Sequence, residues 1–297
     1  GVRGRQNPAC GGPPGRPRGR MKASAAPYLL QPRAPLLEGR FTARFDRFIA
    51  ELTLADGTPI RAHCVNPGRM EGLVIPGTKA WVSKVPEESK RKLRYTLELL
   101  EADGRIVGAN TVVPNWLAEQ LLLAGVIPGL KRFRSLRAEV PYGERSRIDF
   151  WLETASGPHL VEVKNCHLVY PDGRAYFPDS VSVRASEHLE ALMEVVASGA
   201  KATVLFVIQR DDAKSLRPSD LHDPRFAEKA REAAAKGVQF KAVALAPDPQ
   251  GWTVLGTRPV DLRPYDAGRL SPYRSALDAH SGWRRGPRAP KVEPKVD

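Results

Sequence analysis

Cysteine is scarce: Cys10, Cys64 and Cys166 are the whole supply in 297 residues. An odd number, widely spaced and without a CxxC pair, argues against a disulfide framework and a structural zinc site, and makes a reducing compartment the default. Long hydrophobic runs are missing too. No stretch approaches the roughly 20 apolar residues needed to span a bilayer, and the most apolar run, Ala202–Ile208, fits a buried strand instead. The first residues are rich in Arg, Pro and Gly and carry no apolar segment of the secretory type. These absences argue against membrane-spanning, secreted and zinc-ribbon classes, and the expectation is a cytoplasmic protein.

Positive charge is abundant. Lys and Arg number 46 against 33 acids, a net +13, which invites a polyanion because cations that neutralise phosphates release condensed counterions. The excess is unevenly spread. Residues 1–20 carry +5 and residues 281–297 carry +3, leaving +5 for everything between. Both ends are Gly/Pro/Arg-rich, so residues 1–35 read as a disordered or extended segment and residues 261–297 as a C-terminal tail. Met21 directly follows the Arg-rich stretch, and the chain does not begin with Met, so translation is expected to start at Met21. Over the whole chain, 42% hydrophobic and 27% charged residues are globular values.

Residues 36–111 alternate in the strand manner, with Phe41, Ala43 and Phe45 on one side and a bend near Asp46. Asp56-Gly57 and Asp103-Gly104 are hairpin signals. Short strands with turns between them predict a small antiparallel barrel, of which the OB-fold is one candidate; other small barrels would leave the same pattern. After Pro114 the texture changes. Residues 115–124 read as a helix, 136–142, 147–153 and 159–166 as strands, 182–198 as an amphipathic helix, 202–209 as a buried strand, 224–236 as a helix and 238–245 as a final strand. That αβββαβ order makes residues 112–260 an α/β domain.

In VEVKN, Glu162 and Lys164 are two apart on a strand and project from one face, with Val161 and Val163 on the other. Asp149, in RIDFW on the preceding strand, can meet them if the two strands form a hairpin. Two carboxylates supply the oxygen ligands that Mg²⁺ or Mn²⁺ prefers, the ion acidifies a bound water, and a neighbouring ammonium can orient that water or offset transition-state charge. A solvated face with a cross-strand ion pair would leave the same tripeptide. Against that plain reading stand the flanking valines and the further acid Glu139 on the strand before, with Arg145 and Arg147 nearby for phosphate. The triplet resembles that of PD-(D/E)xK nucleases, with Ile148 where that motif has Pro.

HCVNPGRMEG (63–72), KRKLRYTLEL (90–99), YGERSRIDFWL (142–152), VEVKNCHL (161–168) and YFPDSVSVRASEHLEAL (176–192) carry a further resemblance. Over residues 36–245 the chain resembles the sugar fermentation stimulation protein A (SfsA) family. The resemblance implies an N-terminal OB-fold, a C-terminal nuclease-like domain and nonspecific DNA binding linked to control of sugar (maltose) metabolism.

Several other residues are candidates. Arg184 and His188, four apart on one helix, suit a substrate contact or a polar helix surface. Asp179 suits a helix cap or the site. Asn66 and Arg69 sit in a Gly-rich turn, and Lys90, Arg91, Lys92 and Arg94 form a basic run that can track a phosphate backbone, with Trp81 or Tyr95 to stack on a base. His63 beside Cys64 has no partners at ligand spacing and reads as core. Two functions follow: a Mg²⁺- or Mn²⁺-dependent nuclease, or a non-catalytic DNA-binding regulator on the same fold. DNA is the expected partner, with single strands and RNA left open. Edman sequencing of the protein from its native source checks the start, and Met21 is the expected first residue.

Overall fold

The computed structural model describes residues 29–30, 34–142 and 146–286. The expectations for residues 1–28, Arg145 and residues 287–297 therefore lie outside the described residues. The chain enters through β1 (Leu29–Leu30) and then builds a barrel from β2 (Leu36–Phe45), β3 (Ile49–Leu54), β4 (Pro59–His63), β5 (Lys79–Lys84) and β6 (Tyr95–Ala102). The strands run β4-β3-β2-β5-β6, and a short parallel pairing of Ala62 with Tyr95 and His63 with Thr96 closes the ring. This is the closed five-stranded OB barrel, and closure leaves few open edges. β7 (Arg105–Gly108) adds a hairpin to β6. Asp103 and Gly104 both take positive φ there, the conformation tight hairpins demand. Alternation in β2 and β3 sends Phe41, Ala50 and Leu52 inward against Val82, Leu97 and Leu100. Trp81 is 4% exposed, so it is structural and does not stack on a base as the sequence allowed.

The second domain comprises α1 (Val113–Leu123), β8 (Ser135–Tyr142), β9 (Ser146–Thr154), β10 (Gly157–Cys166), β11 (Arg174–Phe177), α2 (Val183–Ala197), β12 (Lys201–Ile208), β13 (Ser215–Pro218), α3 (Pro224–Ala235), β14 (Gln239–Asp248) and β15 (Gly251–Arg258). Its sheet has the order β1-β15-β14-β12-β10-β9-β8, parallel through β10, β12 and β14 and antiparallel at both margins. α1 packs on one face with Val161, Val163, Leu205 and Val207, while α2 and α3 cover the other with Leu160, Val204 and Phe206. A strand covered on both faces is apolar throughout, which is why β12 reads as an unbroken run. The strand expected to be last, β14, instead turns back into β15. Leu29 and Leu30 then pair with Thr253 and Trp252, so the N-terminal segment contributes a strand to this sheet.

The C-terminal segment also departs from expectation. Residues 261–286 are packed structure. α4 (Ser271–Leu277) follows a turn of 3-10 helix, and the chain then crosses back to the barrel, where Arg284 pairs with Phe45. One residue ties this strap down. Arg44, 2% exposed, donates from Nε to the Arg47 carbonyl (2.7 Å), from Nη2 to Asn66 O (2.5 Å), and from Nη1 to the carbonyls of Gly68 (3.0 Å), Arg69 (3.4 Å) and Gly282 (3.4 Å). Three chain segments converge on one guanidinium, and no carboxylate among the described residues is bonded to it. A short side chain here strands those carbonyls, so Arg44→Ala is expected to destabilise the fold by about 3 kcal/mol or more. The exposed Arg61–Glu51 pair serves as control, since Arg61→Ala is expected to cost less than about 1 kcal/mol. Urea unfolding of the two variants beside wild type checks both.

Candidate active site

The site forms where β9 leaves β10. Their pairing runs from Gly157↔Thr154 to Val161↔Phe150 and stops. One residue further, the Asp149 carboxylate takes over the role of a strand carbonyl. Val163 N donates to Asp149 Oδ2 at 2.7 Å, and Asn115 Nδ2 on α1 donates to Oδ1 at 2.7 Å. The departure has a local cause. Phe150, Leu152 and Leu136 pack in the α1 layer, yet Ile148 and Val140 pack in the α2 layer, so side-chain alternation inverts between them. Glu139 sits at that inversion on β8 with φ +53°. Exposed and without a bond to either carboxylate, Glu139 acts as a kink residue and not as the further acid of the site.

On β10 the period-two reading holds. Leu160 and Cys166 belong to the α2 layer and Val161 and Val163 to the α1 layer, which puts Glu162 and Lys164 toward α2. Glu162 is 3% exposed. Its Oε1 accepts from Lys164 Nζ at 2.7 Å and from His188 Nδ1 on α2, while no bond to Oε2 occurs among the described residues. Arg184 Nε donates to His188 Nε2 at 3.3 Å. An arginine can only donate, so Nε2 is the acceptor and Nδ1 carries the proton given to Glu162. Arg184 and His188 are thus brought to the site, through Glu162. Asn115 was not singled out from sequence; a polar residue in the first turn of an apolar helix was its only trace.

The two carboxylates have opposite electrostatic settings. Burial, and then the charge of Glu162, pushes the Asp149 carboxyl up to about 6, against the bonds from Val163 and Asn115. Burial would raise Glu162 as well, but the bond from His188 and the charge and bond of Lys164 outweigh it and hold that group below its ordinary value. Two acids removed from water, one of them raised by the other, favour a cation between them. No group of three or more His, Cys, Asp or Glu converges for ligation among the described residues. An ion held by Asp149 and Glu162 would therefore complete its shell with water, as Mg²⁺ does. Those two donors fit that ion.

The remaining candidates divide. Arg147 is exposed on β9. Lys90, Arg91 and Lys92 are exposed in the β5–β6 loop, but Arg94 is committed to closing that loop through the carbonyls of Ser89 and Pro86. Arg91 bonds Thr96 and the His63 ring. Tyr95 packs partly buried on the barrel core. Asn66 is 1% exposed, its amide spanning Ala109 O and Gly68 N, so it is a pin of the turn and not a nucleic-acid contact. Arg69 pairs with Asp278 of the strap at 2.7 Å. Asp179 does not cap α2, since Ser182 does so by accepting from Ala185 N. Instead Asp179 accepts from Met70 N at 2.9 Å and docks the barrel turn on the second domain. Gly68 is required there, because a Cβ would lie 2.6 Å from Asp179 Oδ1. Beside this contact, Glu71 accepts from Tyr170 Oη and bonds His222 Nε2, and His222 Nδ1 meets Ser219 Oγ. That Ser–His–Glu chain is no nucleophile: Ser219 is fully buried, and the ring nitrogens serve serine and acid the opposite way from a protease triad. Both described cysteines are buried with thiols pushed up, Cys166 to about 12, and neither is a reactive thiolate.

Residues 43–109 match the SfsA N-terminal OB domain, and residues 112–251 match the sugar fermentation stimulation protein RE domain. A sugar fermentation stimulation protein homolog of Maricaulis maris is 46% identical over 215 residues, covering 72% of this chain and 91% of that protein. One from Geobacter metallireducens is 42% identical over 229 residues, covering 77% and 98%. The chain belongs to the sugar fermentation stimulation protein family. Among solved structures, SfsA of Pyrococcus furiosus in complex with Ca²⁺ superposes with a TM-score of 0.72 at 26% identity, covering 80% of this chain and all of that one.

The raised Asp149 carboxyl has a measurable consequence. In chelator-treated protein, one aspartate followed by carbon-13 NMR is expected to titrate near 6 and to vanish in Asp149→Asn. Because the folded value exceeds the unfolded one of about 3.9, the folded state holds the extra proton across that window. The group's contribution to stability therefore falls as pH rises from about 4 to 6, by up to about 3 kcal/mol, and stays at the lower level above. A midpoint near 4 for Asp149 contradicts this electrostatic picture.

Proposed function

We propose that the chain is a DNA-binding phosphodiesterase of the PD-(D/E)xK type that uses Mg²⁺ or Mn²⁺. One observation carries the reading: Asp149, raised to about 6 by burial and by Glu162, meets Glu162 and Lys164 at the point where two strands part. A divalent ion held there would lower the pKa of a bound water and offset charge on a scissile phosphate. The Ca²⁺ in the Pyrococcus furiosus relative agrees with a divalent ion somewhere on this fold. Asn115 and the Val163 amide fix the orientation of Asp149. His188, its tautomer set by Arg184, fixes Glu162. Lys164, 12% exposed along its side chain, has ammonium hydrogens left to orient a water or steady a phosphate oxygen.

A binding-only reading, a regulator of sugar metabolism genes on the same scaffold, draws on one feature. Glu162 Oε1 is already shared by His188 and Lys164, so the pair is satisfied without an ion. Cleavage of single-stranded and duplex DNA and of RNA, with and without Mn²⁺, separates the two. Mn²⁺-dependent cleavage by wild type is expected, with a loss of at least about a hundredfold in Asp149→Ala and Lys164→Ala. Equal activity in wild type and variants means contamination, and no cleavage by any leaves the regulator. Binding itself is expected to weaken steeply with salt, with a shallower slope after deletion of residues 1–20.

A further inference from the structure

Lys164 lines a second space as well. A cleft of about 440 Å³, which Lys164 lines, lies between the two domains, with the Asn66–Arg69 turn, Arg47 and Trp283 on one side and Val181 on the other domain. That volume lies in the range of small-ligand clefts and leaves no room for a double helix. Three cations line it: Arg47, Lys164 and Arg69, whose Nη2 also pairs with the exposed Asp278 of the strap. The one acid in the wall, Asp179, is already engaged with the Met70 amide and the His167 ring.

Trp283 is presented to the cleft by its backbone. Gly282 N donates to Arg69 O and Arg284 N to Arg44 O, while Asp46 N donates to Arg284 O, so the strap is held on both sides of the indole. The ring itself is 40% exposed, and the Arg47 guanidinium lies 4.7 Å from its centroid. Across the rim, Val181 is 73% exposed. An aromatic beside an arginine, in a cationic cleft that leads to the proposed site, has the chemistry of a single-strand track: bases stack on the ring and phosphates follow the cations.

We propose that this cleft binds one or two unpaired nucleotides beside the scissile phosphate, with Trp283 stacking on a base and Arg47 and Arg69 holding the flanking phosphates. The proposal rests on the phosphodiesterase reading only for the word scissile; the binding stands by itself. The test is fluorescence anisotropy of the full chain with a labelled 12-nucleotide oligo-dT and with its oligo-dA duplex. It is run in EDTA, so that cleavage plays no part. Trp283→Ala is expected to weaken oligo-dT binding about tenfold while changing duplex binding less than about twofold, and Trp283→Phe to restore most of the loss. Val181→Glu, which sets a like charge at the opposite rim without touching the strap, is expected to weaken oligo-dT several-fold at an unchanged melting temperature. Oligo-dT binding by Trp283→Ala at wild-type strength, or equal losses for both nucleic acids, overturns the proposal. Absence of cleavage elsewhere would overturn the phosphodiesterase reading and leave this result standing.

Discussion

The buried guanidinium of Arg44 is the contact on which the rest of the molecule turns. Its donors reach the β2–β3 turn, the Asn66–Arg69 turn and the C-terminal strap. With that turn held, Met70 and Glu71 can dock on Asp179, Tyr170 and His222 of the second domain. With the strap held, Trp283 and Arg47 stand at the mouth of the cleft that leads to Lys164. Burial lowers the pKa of Arg44, yet an arginine stays charged, and main-chain carbonyls, with the Trp283 ring 5.4 Å away, surround it. The seating of the strap on the barrel turns therefore rests in part on a buried charge held by main-chain oxygen.

A second unfavourable burial lies at the other end of that cleft. Asp149 and Glu162 are both withdrawn from water, and they are stabilised unequally. Glu162 has a lysine and a histidine; Asp149 has one main-chain and one amide N–H and a carboxyl raised to about 6. A fold selected for stability alone would not place a poorly neutralised acid where two strands part. Such imbalance is common where charge is arranged for chemistry. It gives the proposed ion a physical reason to bind, since its arrival would neutralise both groups together.

Local pattern reveals part of this arrangement, and long-range contact supplies the rest. VEVKN shows its phase because valines bracket both polar residues, and RIDFW shows Asp149 because apolar neighbours bracket it. α2 and β12 announce themselves through a stripe and an unbroken apolar run. The barrel was visible in Asp56-Gly57 and Asp103-Gly104. By contrast, nothing near Arg44 signals that its partners are Gly68 and Gly282, the latter 238 residues away. Composition marks the C-terminal segment as a tail, although the backbones of Gly282 and Arg284 anchor it. Trp81 looked like a stacking residue because alternation cannot tell the inside of a small barrel from its surface. Glu139 looked like a third acid because a positive φ leaves no mark on sequence. Asn115 needed the α1–β9 contact before it had a role.

The proposed divalent ion would sit between Asp149 and Glu162. Anomalous diffraction from crystals grown with Mn²⁺ tests it most directly. One strong peak is expected within about 2.0–2.3 Å of an oxygen of each carboxylate, its shell completed by water, and no such peak in Asp149→Ala crystals grown alike. Well-ordered Asp149 and Glu162 with no peak between them, at Mn²⁺ concentrations that occupy other sites, would contradict it.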